Sequence, residues 1–200
     1  MNLVNAFWYL GRGTGIIALV MFTLTMVLGI TTRSGRRAVG LDRFGVADLH
    51  KTAALTGAGL VAAHVVSLLF DPYAQLRLID VVLPFGGAYR PMWLGLGTAA
   101  VDVMVVLVAS SLLRHRIGPR AFRALHWAAY AMWPLALVHG LGTGTDAATS
   151  WFRWIAVGCV VAVGAALTWR LTPGYGERGM RRVPRQLPVT PPPNRKAVKR

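Results

Sequence analysis

Four histidines stand in two matched pairs, His50 with His64 and His126 with His139. The separations within the pairs are 64 − 50 = 14 and 139 − 126 = 13 positions. Each pair belongs to a stretch apolar enough to cross a bilayer, Lys51 to Phe70 with His50 at its start, and Phe122 to Leu141. Imidazole is costly in hydrocarbon, so an ionisable side chain at that depth points by default to a functional site. Neutral imidazole is a common metal ligand and an axial ligand of haem iron. Two histidines at each depth leave a zinc or copper ion short of ligands. They suffice for a bis-histidine haem, which leaves no open iron position and favours electron transfer over oxygen binding.

The elements that must position these residues are read from hydropathy. The chain of 200 residues is 54% hydrophobic, and the apolar residues fall in blocks. Several blocks approach the ~20 residues needed to span ~30 Å of hydrocarbon. The fold class expected is an all-α membrane protein, a bundle of five transmembrane helices with a disordered basic C-terminal tail. The predicted spans are Trp8–Thr31, His50–Phe70, Trp93–Leu113, Phe122–Leu141 and Trp151–Trp169. The N-terminus carries no basic n-region, so the first run reads as a retained span. In it, Gly11 and Gly15 have the small-xxx-small spacing of close helix contacts.

Charge orients the bundle. Of 22 Lys and Arg, five lie at 33–51, four at 114–123 and nine at 170–200. These are alternate connections plus the C-terminus, as expected if all three face the cytoplasm. The N-terminus is then outside. Because the cations flank spans, they argue against nucleic-acid binding. The second and fourth spans run parallel, so His50 and His126 share the cytoplasmic level and His64 and His139 the outer level. Fourteen helical positions rise about 21 Å, enough for two separate sites.

One feature of the fourth span opposes this ladder. At about 100° per residue, 13 positions turn a side chain about 140° from its partner's face, whereas 14 leave about 40°. A kink at Pro134, or cofactors approached from two sides, must reconcile the difference. One haem or two therefore stays open.

Other polar residues are assigned more loosely. Arg12 is either a snorkelling side chain or a cation for a haem propionate. Asp102, at mid-membrane, either partners Arg12, relays protons or is a neutral acid. His115, between two arginines, reads as an interfacial side chain. Trp127, Tyr130 and Trp133 are left unassigned between porphyrin packing and ordinary helix packing. Cys159 reads as a small core residue. The loop 71–92 is a candidate lid over the outer site. Residues 171–200 carry six of the 11 prolines and nearly all their charge as cations, too polar to build a core.

The H-x13-H and H-x12-H pairs resemble those of the ferric reductase-like transmembrane domain, shared by ferric reductases, NADPH oxidases and bacterial relatives. The resemblance covers about residues 7–170 and implies one transmembrane haem-binding domain over 1–170. It implies two b-type haems stacked across the membrane, His50 and His126 on the inner iron, His64 and His139 on the outer. It departs from the family in having five spans instead of six and only a basic tail where eukaryotic members carry a flavin and nicotinamide domain. Electrons are thus expected from a separate flavoprotein, dehydrogenase or quinol. They would cross a bacterial plasma membrane to an extracytoplasmic acceptor such as ferric iron or a flavin protein. Small bacterial members are similar to the haem-binding subunit of a methionine sulfoxide reductase system, an alternative role. A proton- or ion-handling membrane protein without haem is the alternative of another class. No residue is expected to act as a catalytic acid, base or nucleophile.

Overall fold

The structure, a computed structural model, describes residues 3–35, 37, 38, 40–173 and 175. Six α-helices are described: α1 (Leu3–Ser34), α2 (Arg43–Leu69), α3 (Pro91–Leu112), α4 (Arg114–His126), α5 (Ala129–Thr143) and α6 (Ser150–Arg170). A 3₁₀ turn, Leu78–Val81, interrupts the loop between α2 and α3. The expected basic tail lies outside the described residues apart from 171–173 and 175.

Helices α1, α2, α3 and α6 are long and apolar enough to cross a membrane. Large apolar side chains on their outer faces, including Leu55, Val66, Val105, Val106, Val160 and Val161, are exposed. A water-soluble fold would bury such faces; their composition suits contact with lipid tails. Alpha1 is the central post. Its buried face (Ala18, Leu19, Phe22, Met26 and Ile30) belongs to one core cluster with Ala100 and Leu107 of α3, Met132, Trp133 and Leu137 of α5, and Cys159 and Val163 of α6. Cys159 is thus a core residue. Beside this core, α1 and α2 approach so closely at Gly57 that an added Cβ would lie 2.9 Å from the Phe22 ring.

Two boundaries differ from the sequence reading. Helix α2 starts at Arg43, so His50 lies two turns inside it instead of at its start. The cause is local: Asp42 is the N-cap and accepts a hydrogen bond from Gly45 N at 2.8 Å. The expected basic loop after α3 is instead helix α4, broken at Gly118 (φ +79°) and restarted by Pro119.

The fourth apolar stretch is not one continuous helix. Helix α4 ends at His126 and α5 begins at Ala129. Between them the chain stays right-handed but winds more tightly. Ala128 N bonds Leu125 O (3.0 Å), Tyr130 N bonds Trp127 O (3.1 Å) and Ala131 N bonds Ala128 O (3.0 Å), each three residues back. The tight turn lies just before Pro134, which cannot donate to Tyr130 O. A 3₁₀ turn advances about 120° per residue instead of about 100°, so three or four such residues add about 60–80°. This winding shrinks the offset between His126 and His139 from about 140° to about 60–80°.

Gly57→Val forces the α1–α2 contact apart and should cost about 1–3 kcal/mol, as core overpacking does. The check is the melting temperature in detergent, which should fall by several degrees, whereas the same change at Gly59, whose Cβ would meet nothing within 4 Å, should leave it nearly unchanged.

Candidate functional site

The structure brings the four histidines together in two pairs. The rings of His50 on α2 and His126 at the end of α4 have centroids 6.3 Å apart and planes at 73°. Those of His64 on α2 and His139 on α5 are 6.4 Å apart at 86°. His115 is exposed beside Arg114 and joins neither pair.

Three of the imidazoles are held by backbone. His64 Nδ1 lies 2.6 Å from Gly11 O, His50 Nδ1 2.9 Å from Thr25 O, and His139 Nδ1 2.8 Å from Trp93 O. A carbonyl only accepts, so Nδ1 carries the proton at each site and Nε2 keeps its lone pair. Backbone anchoring of this kind fixes tautomer and ring orientation in metal-ligating histidines. His126 is the exception: its Nδ1 is buried with no hydrogen-bond partner.

Glycine makes the three contacts possible. A Cβ at Gly15 would lie 2.9 Å from the His64 ring, one at Gly29 3.1 Å from His50, and one at Gly97 2.5 Å from His139. Each glycine stands four positions after the accepting carbonyl: 11 to 15, 25 to 29 and 93 to 97. Any side chain there would displace the ring from its hydrogen bond. Sequence reading noted Gly11 and Gly15 as a helix contact but missed Gly29 and Gly97. The available signal was the spacing 29 − 15 = 14, which equals that of His50 and His64 on the antiparallel neighbour.

The His64–His139 pair lines a cavity of about 350 Å³ that also receives Trp8, Arg12, Asp71, Tyr89, Met104 and Phe152. The loop between α2 and α3 closes over it, since Tyr73, Leu76, Asp80 and Val81 are among its walls. Thr98 Oγ1 donates to Asp80 O at 2.7 Å and ties this loop to α3. Arg77 donates through Nε (3.0 Å) and Nη2 (2.8 Å) to the two oxygens of Asp80. These bonds hold the Asp80 carboxyl below the usual carboxylate range.

Arg12 pairs with Asp146, its Nε 2.7 Å from Oδ2, and stacks 4.0 Å over Trp8. Its partner is therefore not Asp102, which is half-buried on α3. The pairing followed from the 143–149 connection folding back over α1, which no periodicity in the sequence reveals. Trp133 Nε1 donates to Thr23 Oγ1 at 3.0 Å, and Trp127 and Tyr130 lie against Arg170. These aromatics join helix to helix.

The ring spacing tests what could fit between the histidines. Two metal–imidazole bonds of about 2.0–2.1 Å, plus about 1.1 Å from nitrogen to centroid on each side, give roughly 6.3 Å. The observed 6.3 and 6.4 Å match two imidazoles facing one metal ion from opposite sides. No group of three or more His, Cys, Asp or Glu suited to a metal ion occurs among the described residues. The donor set thus suits a metal whose other ligands come from a macrocycle, as in haem.

A family model for the ferric reductase like transmembrane component matches residues 14–137, which is 137 − 14 + 1 = 124 of the 200 residues. The chain belongs to this family. It is accordingly a multi-pass membrane component whose family implies haem-based electron transfer. The matched segment contains His50, His64 and His126 and ends two residues before His139. Comparison with curated proteins and with solved structures gave no match.

Two outcomes follow from this geometry. Gly97→Ala should displace His139 and lower haem content by up to one per chain, read by pyridine haemochrome assay, while Gly13→Ala, which meets nothing within 4 Å, should leave it unchanged. The Asp80 clasp concerns pH. Because the folded carboxyl titrates below its unfolded value of about 3.9, its contribution is complete above that pH and is lost only as pH falls through the lower folded value. The hydrogen-exchange protection of the 71–90 loop, corrected for the intrinsic pH dependence of amide exchange, should thus stay constant from pH 7 to pH 5, and Asp80→Asn should lower it throughout that range.

Proposed function

We propose that this chain is a di-haem b-type cytochrome that carries electrons across a plasma membrane. His50 and His126 would hold the inner iron, His64 and His139 the outer. In this reading α4 and α5 together form the fifth crossing, and the basic ends of α1, α4 and α6 face the cytoplasm. The observation that carries it is the pair of ring spacings, 6.3 and 6.4 Å, in two layers built from the same helices.

When bound, haem supplies one-electron exchange at its iron without bond making or breaking in the protein. The side chains supply position and insulation. Three imidazoles are oriented through Nδ1 by backbone carbonyls, and lipid-facing valines and leucines keep water from the bundle. If the two histidines of each pair held the group, the protein would leave it no open position for a substrate, and the residues lining the cavity beside His64 and His139 would face the acceptor. The donor would be a flavoprotein, a dehydrogenase or a quinol, and the acceptor ferric iron or an extracytoplasmic flavin protein.

The test is an oxidised-minus-reduced spectrum of the detergent-purified protein with haem counted per chain. Two low-spin b-type haems are expected, and each single His→Ala variant at 50, 64, 126 or 139 should lose about one. Full haem loading in all four variants, or a colourless protein after expression with ample haem, would overturn the assignment.

A further inference from the structure

Asp102 has no polar partner inside the bundle. It makes no hydrogen bond or ion pair with any described residue, and Arg12 pairs with Asp146 instead. Its depth makes this costly. Asp102 is the twelfth of the 22 residues of α3 (102 − 91 + 1 = 12). About 17 Å of helical rise precede it, roughly half of a ~30 Å hydrocarbon core. An acid at that level ordinarily faces a bundle interior or a water-filled cavity and is paired there. Asp102 does neither: the cavity beside His64 and His139 takes Gly97, Ala100, Val101 and Met104 from α3, not Asp102.

The acid lies on the outward face of its helix. At about 100° per residue it stands within about 60° of Val105, Val106 and Ala109, all three exposed. Ala100 and Leu107, which join the core, are about 140–160° away around the helix. Gly97, which touches His139, is about 140° away as well.

That outward face carries a seam. Ala99, Asp102, Val106, Ala109 and Leu113 follow in steps of 3, 4, 3 and 4, the alternation with which two helices pack side by side at a shallow angle. All five are half-buried or exposed, so nothing within the chain covers them fully. Ala99 and Ala109 are small and let a second backbone approach on both sides of the acid. The seam runs for about 21 Å of helix and stops short of Gly95, where Phe85 packs on α3.

A second copy of this chain supplies the missing partner by symmetry. About a twofold axis along the membrane normal, α3 lies parallel to its copy, and each seam residue meets its own equivalent at the same depth. Asp102 then meets Asp102. A protonated carboxyl both donates and accepts, so two such side chains satisfy each other. The seam holds no cation and no second acid, so it offers no charge pattern that would select a different protein.

We infer that this chain dimerises in the bilayer through the outward face of α3, with the two Asp102 side chains hydrogen-bonded across the twofold axis. One polar residue in an otherwise apolar seam fixes register in this way. The inference needs only the membrane-spanning helices and stands apart from the haem assignment. Because the histidines lie on the far side of α3, each copy keeps its own complete set.

The experiment reconstitutes the full chain into lipid vesicles and counts copies by single-molecule photobleaching over a dilution series. A dimer is expected. Asp102→Asn, which still donates and accepts, should keep it, and Asp102→Leu should weaken it about tenfold, the scale of one interhelical hydrogen bond. Ala109→Cys should form an intermolecular disulfide on mild oxidation in membranes. Wild type, whose Cys159 is buried, and Val161→Cys on the exposed side of α6 should not. The cysteine variant keeps Asp102 and decides the matter even if Asp102→Leu does not accumulate. A monomer at every protein-to-lipid ratio, a dimer indifferent to Asp102→Leu, or no cross-link at residue 109 would overturn the inference. So would an Asp102-dependent complex with a different membrane protein in place of the dimer.

Discussion

Three of the four imidazoles depend on one arrangement: a backbone carbonyl that accepts from Nδ1, followed four positions later by a glycine. A helix carbonyl is normally spent on its own i+4 donor, and a neighbouring side chain rarely comes close enough to share it. The missing Cβ removes the obstacle. His64 over Gly15, His50 over Gly29 and His139 over Gly97 all use it. The bundle is organised to keep these approaches. Alpha1 holds two of the three, and it is also the helix on which α2, α5 and α6 converge.

The two sides of the ladder reach their alignment by different means. Helix α2 needs nothing special, since 14 residues return a regular helix to within about 40° of the same face. The 13-residue separation on the other side cannot do so in a regular helix. There the backbone is overwound at 125–131, and Pro134 follows immediately. The chain accepts i−3 hydrogen bonds of poorer geometry in exchange for presenting both rings to α2. Arg170 on Trp127 and Tyr130, and Trp133 on Thr23, brace this irregular segment from α6 and α1.

The two ends of the bundle are not equivalent. The His64–His139 end has a cavity, a loop fastened by Arg77, Asp80 and Thr98, and an ion pair between α1 and the connection after α5. The His50–His126 end has exposed basic helix ends and a histidine whose Nδ1 is unclaimed. Pseudo-repetition within α1 makes the two layers alike in spacing.

By itself, the sequence determined the all-α membrane class, the basic side of the bundle and the grouping of four histidines into two layers. These follow from hydropathy, charge and helical rise, all of which are properties of one chain segment at a time. Family membership, too, was legible from the histidine spacings. Tertiary structure decided what depends on two segments meeting. The partner of Arg12 is Asp146, and the carbonyls of Gly11, Thr25 and Trp93 serve as anchors. Gly29 and Gly97 proved to be places of close approach. The start of α2 at Arg43 depended on a cap that hydropathy does not register. The overwound turn after His126 was foreseen only as a conflict of phase. A regular helix was the local optimum there, and packing against α1 and α3, with Arg170 of α6 on Trp127 and Tyr130, overrode it.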